Sequence, residues 1–524
     1  MNKHLFSAIC LLSAGFGMTA QTYQTGYFLD NYSFGYRINP AIAADKAFLG
    51  IGVGNITPTI SSDLGLSSVL FKSPNGGLVT GLNSSVSSSE FLGGLRDLNT
   101  INANVDMNIL SIGKWSKEKA FSTFEVNVRG NAGAGIPKDL FAFLKNGGGS
   151  DGSFNLEGMN VGGKAFAEVA IGRAFVGKKL SIGARIKGLV GLANATLDVN
   201  RANMTINSDV VSYNIDAELD AALTGLSIGS KVSENTGKKI ADFSNISFDA
   251  SKLAPCGFGA AIDLGASYTF FDKLTVSASI IDLGGISWKY NFKAKTSGTQ
   301  EFHGVENISL DNENIGDDLD DALSQLKNLA EFQTVGASGR KMEMLPASFN
   351  VGARMRIIKM LSVGYLGTFS VGKNNKWMDN RLGATITPVR WLSLASNIGI
   401  NSFGKAWGAA ASVNLLGLNV HAGFDGYLGP IAKIKPDNVN IPVLGYIPAP
   451  VNSFKYAGNV GVNFTFGKRH GTFAKQEKEP KEPKAGKSGK KKGEEPLEQI
   501  STQDENGMTT AEEPVINPEA MKDL

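Results

Sequence analysis

The sequence predicts an all-β protein, a transmembrane antiparallel β-barrel of about 14 strands. Three observations predict it. Segments of ten or more residues alternate apolar and polar side chains, their polar faces are rich in Gly, Ser, Asn, Arg and Asp, and short connections alternate with long ones. Strands of globular proteins average about five or six residues, and a closed barrel is how strands satisfy their backbone groups in lipid. A soluble β-sandwich with its apolar faces inward is the alternative.

The first 20 residues have the features of a secretory signal peptide. Lys3 and His4 precede an apolar run, and Ala20 followed by Gln21 offers a plausible cleavage point. The rest of the chain contains no apolar run of about 18 residues, which a spanning helix would need. Cys256 is then the single cysteine left, so no internal disulfide framework is expected.

The stretch AFSTFEVNVRGN, residues 120–131, shows how the strands are assigned. Its alternation would turn Phe124 and Val126 to lipid, and Glu125 and Arg129 to the lumen. The same pattern recurs at residues 103–113, 180–192, 257–270, 348–357 and 455–466. The lumen-facing candidates are Glu125, Arg129, Arg185, Lys187, Asp263, Arg354 and Arg356. They could line a permeation path, or pair with one another to fill the barrel or hold a plug.

Connection lengths set the strand count and the orientation. Tight turns are predicted near residues 114–119, 177–179, 271–273, 358–360, 388–390 and 415–417. Longer connections are predicted at residues 132–163, 195–256, 285–345, 371–379, 401–405 and 428–454. Thirteen strands are predicted between residues 103 and 466, and one more begins near residues 47–55, which gives about 14 strands in total. Bacterial outer-membrane barrels have short periplasmic turns and longer external loops, so the tight turns are expected on the periplasmic side.

Smaller features complete the organisation. Interfacial aromatic girdles are expected from Tyr268, Phe270, Trp288, Trp391 and Phe464. Short helices are expected in the long loops at residues 88–98, 138–144 and 317–332. After Phe466 the chain is rich in Lys, Glu, Pro and Gly, so residues 467–524 are expected to form a disordered periplasmic tail. The predicted domains are a signal peptide (1–20), an N-terminal segment (21–46), the barrel (47–466) and the tail.

Three short motifs match the spacing of known catalytic or ligand-binding motifs, but none of the three matches is supported by the surrounding sequence. GLSIG (225–229) has the nucleophile-elbow spacing around Ser227, but no supporting acid and histidine signature follows. GMNVGGKA (158–165) has Ala165 where a phosphate loop needs Ser or Thr. DNENIGDDLDD (311–321) lacks calcium-loop ligand positions, which leaves weak surface binding of a divalent cation or a solvated helix start. The scattered histidines suggest no zinc site, so no enzyme activity, metal or cofactor is expected.

YRINPAIAAD (36–45), ahead of a barrel of about this size, resembles the long-chain fatty-acid transporter superfamily. More closely, the chain looks like an uncharacterised family of outer-membrane proteins from Bacteroidetes-type bacteria. That resemblance is carried by RINPAIAADKAFLGIGVGN, IPKDLFAFLKNG, LSIGARIKGLVGLANA and IDLGASYTFFDKLTVSASIIDLGGISW. It implies an N-terminal hatch around Tyr36 to Asp45 that folds into the barrel and includes Asn39, Pro40 and Ala41, with its turn fixed by Asn39 and Pro40. The residue before a proline is pushed out of the helical region, and proline sets its own φ.

The resemblance also implies two functions that the protein could have. Transporters of that superfamily pass an apolar ligand through the wall or past the hatch, whereas other relatives act in protein secretion. Passive transport of a hydrophobic or amphipathic small molecule across the outer membrane is therefore expected. The alternative is a protein-binding component of a secretion or assembly complex, with a periplasmic or secretion-system partner held by the loops or the Lys-rich tail. Outer-membrane lipid is an expected partner, and nucleic acid is not.

Overall fold

The computed structural model describes residues 23–468 and 470, apart from 75, 117–118, 147–151, 208–209, 234–236, 304–331, 336–338, 373–375 and 435–446. The predicted signal peptide, nearly all of the predicted tail and all but the last residue of the predicted helix 317–332 lie outside the described residues.

Fourteen antiparallel strands pair in chain order into a closed barrel, which confirms the predicted fold class. We number them β1 Ala47–Ser62, β2 Leu98–Trp115, β3 Ala120–Pro137, β4 Asn160–Val176, β5 Leu180–Asn207, β6 Gly257–Phe270, β7 Leu274–Lys289, β8 Ala347–Ile358, β9 Leu361–Val371, β10 Lys376–Val389, β11 Leu392–Asn401, β12 Gly404–Leu415, β13 Leu418–Tyr427 and β14 Phe454–Phe466. The barrel closes at β1, where Ile60 lies opposite Ala103 of β2 and Tyr456 of β14. Closure leaves no strand edge to be solvated.

The outer surface of the barrel is apolar and its inner surface is polar. Along β5, Ile186 is 68 % exposed while its neighbours Arg185 and Lys187 are each 3 % exposed. In β3, Glu125 and Arg129 are likewise buried, whereas Phe124 and Val126 are partly exposed. This arrangement reverses that of a globular core, and it is the one that a barrel surrounded by lipid requires.

The six tight turns lie at one end of the barrel, at residues 116–119, 177–179, 271–273, 359–360, 390–391 and 416–417. The start of β1 and the end of β14 lie at that end too, because Ala47 pairs with Phe466. At the opposite end, three predicted connections begin too early, since β3, β5 and β7 continue to Pro137, Asn207 and Lys289. The connection after β11 is only Ser402 and Phe403.

Strand pairing continues beyond the barrel at the end with the long connections. The last part of β5 pairs with Val210–Ala222, which pairs in turn with Phe292–His303. Other short strands are Leu70–Lys72, Leu78–Thr80, Gly152–Asn155, Leu226–Val232, Lys239–Phe248, Gln333–Thr334, Arg340–Met344, Ile431–Ile434 and Ile447–Pro450. We call the sheet formed by residues 194–207, 210–222 and 292–303 the projecting sheet. It continues because each antiparallel strand satisfies the backbone groups of the next.

Two short helices lie in the described parts of the long connections. Helix α1 spans Ser88–Gly93 and α2 spans Lys138–Asn146. The Ser87 hydroxyl accepts a hydrogen bond from the Glu90 amide and caps α1, which ends at Gly93 and Gly94 rather than at residue 98 as predicted. The 3-10 helices are Gln24–Tyr27, Gly35–Arg37, Leu66–Ser68 and Ala250–Lys252. Within the described part of the chain, no helix has the length and apolar character needed to cross a membrane.

Trp288 corrects one aromatic prediction. Trp391 and Phe464 are 42 % and 57 % exposed, but Trp288 is only 1 % exposed and lies on the inner side. The cause is a bulge in β7, where the pairing with β6 shifts between Ile262 and Leu264 and Asp282 has a φ of 63°. One extra residue in a strand moves every later side chain to the other face.

Candidate functional site

The N-terminal segment, residues 23–46, lies inside the barrel. Phe28, Phe34 and Tyr36 are 1 %, 0 % and 2 % exposed. The wall residues whose side chains hydrogen bond to it include Asp106, Trp115, Glu125, Asn127, Ser277, Ser279, Asn350, Arg354, Thr368, Thr385, Thr387, Ser393, Asn397, Ser412, Asn419, Asp425, Asn459 and Asn463. These contacts come from most of the strands, so the segment is held from all around the wall.

Asn39, Pro40 and Ala41 form a buried turn against β6 and β7. The Asn39 Oδ1 atom accepts a hydrogen bond of 2.9 Å from the Ala41 amide. Its Nδ2 atom donates to the carbonyl oxygens of Ala266 and Ala278 at 3.3 and 3.1 Å. An Asn side chain that bonds the backbone two residues on stabilises such a turn, and Pro40 restricts it further.

The wall is built to accommodate this turn, because glycines face it where it comes closest. A Cβ atom on Gly265 would lie 2.1 Å from Asn39 Oδ1, and one on Gly183 would lie 2.2 Å from the Pro40 carbonyl oxygen. Both distances are below van der Waals contact, so any larger residue would displace the turn or the strand.

A dense set of ion pairs lies beside the segment. We call it the charged cluster, and its members are Arg37, Asp106, Glu125, Arg129, Glu168, Arg185, Lys187, Asp263 and Asp282. Its four cations and five carboxylates interlock: Arg129 binds both oxygens of Asp282 at 3.0 and 2.8 Å, and also Glu168 at 3.1 Å. Arg37 of the N-terminal segment enters the cluster through Glu125 and Asp106 at 3.0 and 3.1 Å. The cluster therefore joins the segment to the wall.

The predicted lumen residues divide between this cluster and β8. Glu125, Arg129, Arg185, Lys187 and Asp263 are all members of the charged cluster. By contrast, Arg354 binds Asp30 of the N-terminal segment at 2.6 Å, and Arg356 is half-buried two residues nearer the turn.

Sequence reasoning missed several members of the cluster. Alternation alone would have placed Asp106 and Glu168 on the inner face. Alternation does not predict an inward position for Asp282, because the bulge buries two consecutive residues, Ile281 and Asp282. Among the described residues, no group of three or more His, Cys, Asp and Glu side chains is placed to hold a metal ion.

A second ionic group lies across the lumen on β10, β13 and β14. Arg381 donates to Asp379 at 2.9 Å and to Asp425 at 2.8 Å. The Lys455 ammonium lies 3.7 Å from Asp379 and 3.4 Å from the centre of the Trp377 ring. Asp425 also accepts the Gln24 backbone amide at 2.6 Å, so the first described residues of the chain are anchored here.

The pairing of β1 with β14 is interrupted where β1 passes the N-terminal segment, although its pairing with β2 continues at Gly50, Ile51 and Asn55. Leu49 pairs with Phe464 and Ile56 with Val460, so six residues of β1 stand opposite three of β14. Gly52 in this stretch has a φ of 83°, which an L-residue rarely adopts. On the inner side, Tyr32 and Phe34 lie 5.0 and 5.5 Å, centre to centre, from the His421 ring. We call this stretch, residues 50–55, the β1 interruption.

A cavity of about 50 Å³ lies beside the β1 interruption. Its lining includes Tyr32, Phe34 and Asn55 on one side, and Arg129 and Asp282 of the charged cluster on the other. A water molecule needs about 10–15 Å³, so the cavity has room for a few.

The comparisons place the chain in a family. The family described as DUF5723, a family of unknown function, matches residues 40–425. The chain therefore belongs to this family. Among curated proteins, none matches the sequence.

Solved structures with a similar fold include outer-membrane transporters. A Pseudomonas aeruginosa FadL homologue matches at 11 % identity and a TM-score of 0.41, over 87 % of this chain and 100 % of its own. The Ralstonia pickettii toluene transporter TbuX matches at 9 % identity and 0.37, over 87 % and 97 %. The translocator domain of the Neisseria meningitidis autotransporter NalP matches at 7 % identity and 0.28, over 79 % and 89 %. These scores are low, and the assignment of the fold rests on the strand pairing of this chain.

Proposed function

We propose that this member of DUF5723 is an outer-membrane channel for passive transport of a hydrophobic or amphipathic small molecule, with its N-terminal segment serving as a hatch. One observation carries the proposal. The N-terminal segment lies in the lumen and is held from all around the wall, whereas the pairing of β1 with β14 beside it is interrupted.

The plugged lumen disfavours an open aqueous pore. Arg37 is tied to two carboxylates of the wall, and Asp30 is tied to Arg354. Withdrawing the segment along the barrel axis would break these ion pairs. Glu125 and Asp106 would keep only Arg185 and Arg129, and Arg354 would lose Asp30, and breaking buried pairs in this way is costly. The segment therefore stays in place during transport, and the turn of Asn39, Pro40 and Ala41 keeps it seated.

The β1 interruption supplies a lateral route instead. Its inner side is aromatic, with Tyr32 and Phe34 of the N-terminal segment beside it. On the outer side, Ile51 is 66 % exposed. A molecule that leaves here enters hydrocarbon, so only a hydrophobic or amphipathic molecule would take this route.

The orientation follows from the turns. Short turns belong on the periplasmic side of such barrels. The N-terminal segment, with Asn39, then blocks the periplasmic end, and the tail from residue 467 on is periplasmic. The long connections and the projecting sheet face outward from the cell.

A reversible disulfide across the interruption tests the route. The Cβ position of Gly50 lies 3.7 Å from Asn463 Cβ, within the range of about 3.5–4.5 Å that disulfides use. The variant Gly50→Cys/Asn463→Cys/Ser111→Ala removes the Ser111 hydroxyl that a Gly50 side chain would meet. We expect the oxidised variant to lose uptake of radiolabelled fatty acid in a deletion strain, and the reduced variant to regain it.

The matched control is a Ser396→Cys/Ala409→Cys pair across the continuous pairing of β11 and β12. Its oxidation should leave uptake unchanged. Undiminished uptake through the oxidised β1 variant would exclude the lateral route. The transport function itself would be contradicted if deleting the gene left the uptake of every tested apolar compound unchanged.

The projecting sheet favours a second candidate, a protein-binding component of an outer-membrane secretion or assembly complex. Its strands extend beyond the barrel wall, where they are available to a protein partner. Pull-down from gently solubilised membranes separates the two functions. A stoichiometric protein that is lost when residues 210–222 are replaced by a short turn would favour this candidate, and co-purified lipid would favour transport.

A further inference from the structure

We propose that the lumen carries a binding ring for the head group of an amphipathic ligand, and that this head group is neutral and rich in hydroxyl groups. The ring consists of Ser61, Asn102, Ser348, Ser370, Trp377 and Lys455. This inference rests on the proposed transport function and names the class of its ligand.

The ring residues share buried polar atoms that have no hydrogen-bond partner among the described residues. The atoms are Ser61 Oγ, both side-chain polar atoms of Asn102, Ser348 Oγ, Ser370 Oγ, Trp377 Nε1 and Lys455 Nζ. None of the six residues is more than 4 % exposed. Proteins pair the great majority of such groups, so a concentration of unpaired ones at one level of a lumen points to a ligand.

The six side chains face inward and are contiguous. Their neighbours along the strands face outward, as Ile60, Phe369 and Met378 show by exposures of 44 %, 48 % and 52 %.

Register places the ring residues side by side. Ser61 lies opposite both Asn102 and Lys455. Ser370 lies opposite both Ser348 and Trp377. The Lys455 ammonium, 3.4 Å from the centre of the Trp377 ring, joins the two groups of three.

Charge balance argues against an anionic head group. Lys455 lies near Asp379, and Arg381 binds both Asp379 and Asp425. The positive charges of these two cations balance the negative charges of the two carboxylates. All six ring residues can donate a hydrogen bond, and four of them, the serines and Asn102, can also accept one. A neutral group that offers several hydroxyl and carbonyl oxygens matches this set.

The opposite arc of the wall accounts for an apolar part of the ligand. The ring uses β1, β2, β8, β9, β10 and β14. On β4, β5 and β7, the buried inner side chains include four large apolar ones, Phe166, Leu189, Ile286 and Trp288, none of them more than 2 % exposed. A hydrocarbon without a head group would leave the ring unpaired, whereas an amphipathic molecule matches both arcs.

Binding of three ligands with the same chain and different head groups tests the ring. The probes are radiolabelled monodecanoylglycerol, decanoate and decane, bound at equilibrium to the protein in nanodiscs, with empty nanodiscs as the blank. We expect monodecanoylglycerol to bind most tightly. The Ser61→Ala/Ser370→Ala variant should weaken its binding about tenfold and leave decane within about twofold.

The control variant, Ser181→Ala/Ser362→Ala, removes two buried serines near the tight turns and should change none of the three affinities. The ring is overturned if decanoate binds more tightly than monodecanoylglycerol, or if the ring variant weakens all three ligands equally. In either case transport stands, because apolar chains still bind. Binding of none of the three by the wild-type protein would contradict the proposed function as well.

Discussion

The charged cluster and the binding ring are both buried in the same lumen, yet they treat polar groups in opposite ways. In the charged cluster, every one of the nine side chains has an ionic partner, and Arg129 contacts three carboxylates, although the Nε atoms of Arg129 and Arg185 make no hydrogen bond within the described part of the chain. In the ring, six neighbouring side chains have polar atoms with no hydrogen-bond partner among the described residues, and the ionic partner of Lys455, Asp379, lies 3.7 Å away.

This contrast separates the part of the lumen that is structural from the part that is available to a ligand. A satisfied buried network makes the fold rigid, because removing one member exposes the others to an uncompensated desolvation cost. An unsatisfied group makes no such contribution and gains most when a ligand supplies its partner. The charged cluster therefore holds the N-terminal segment, and the ring is left for recognition. Four substitutions test this contrast.

Arg129→Met should have the largest effect. It leaves Asp282 and Glu168 without their main partner, so we expect the free energy of unfolding to fall by about 3–5 kcal/mol. Urea unfolding in detergent micelles measures it. The double variant Arg129→Met/Asp282→Asn should recover part of this loss. A loss below about 1 kcal/mol, as for an exposed pair, would show that the cluster is solvated rather than buried.

Gly265→Ala should have the next largest effect, because its Cβ atom would lie 2.1 Å from Asn39 Oδ1. Overpacking of this kind costs about 1–3 kcal/mol. We expect faster hydrogen exchange at the Ala41 amide and its neighbours in the N-terminal segment. Gly188→Ala is the control, since its nearest atom is 3.9 Å away. Equal exchange rates in the two variants would contradict the close seating of the turn.

Arg354→Gln should have a smaller effect, of about 1 kcal/mol. The pair it breaks is partly exposed, at 13 % and 18 % for the two side chains. Thr387 and Ser393 also hold Asp30, at 2.6 and 3.0 Å. The same urea titration measures the loss, and a value as large as that of Arg129→Met would show that β8 belongs to the charged cluster energetically.

Ser370→Ala should have the smallest effect. Removing a buried hydroxyl that has no partner costs little, and we expect the free energy of unfolding to stay constant or rise by up to about 1 kcal/mol. Thr385→Ala, which removes a hydroxyl bonded to the Phe28 carbonyl oxygen, is the contrasting variant and should destabilise. If Ser370→Ala destabilises as much as Thr385→Ala does, the ring hydroxyl is satisfied within the fold and the contrast fails.

The barrel and the sidedness of its strands follow from the amino-acid sequence alone. In β3, alternation of Phe124 and Val126 with Glu125 was enough to separate lipid from lumen, because side-chain direction repeats every two residues. The turns could also be predicted from a few neighbouring residues, and the predicted turn at 271–273 coincides with the observed one. These features depend on a few neighbouring residues, so they can be read along the chain.

The contacts between side chains inside the barrel, by contrast, could be found only in the folded protein. Arg381 and Asp425 belong to strands that are not adjacent, and closure of the barrel brings them within 2.8 Å. The bulge at Asp282 turned Trp288 inward, and the N-terminal segment has hydrogen-bond partners on strands up to 430 residues away. Such contacts depend on closure, strand register and one extra residue in a ladder, and none of these leaves a trace in a pattern of period two.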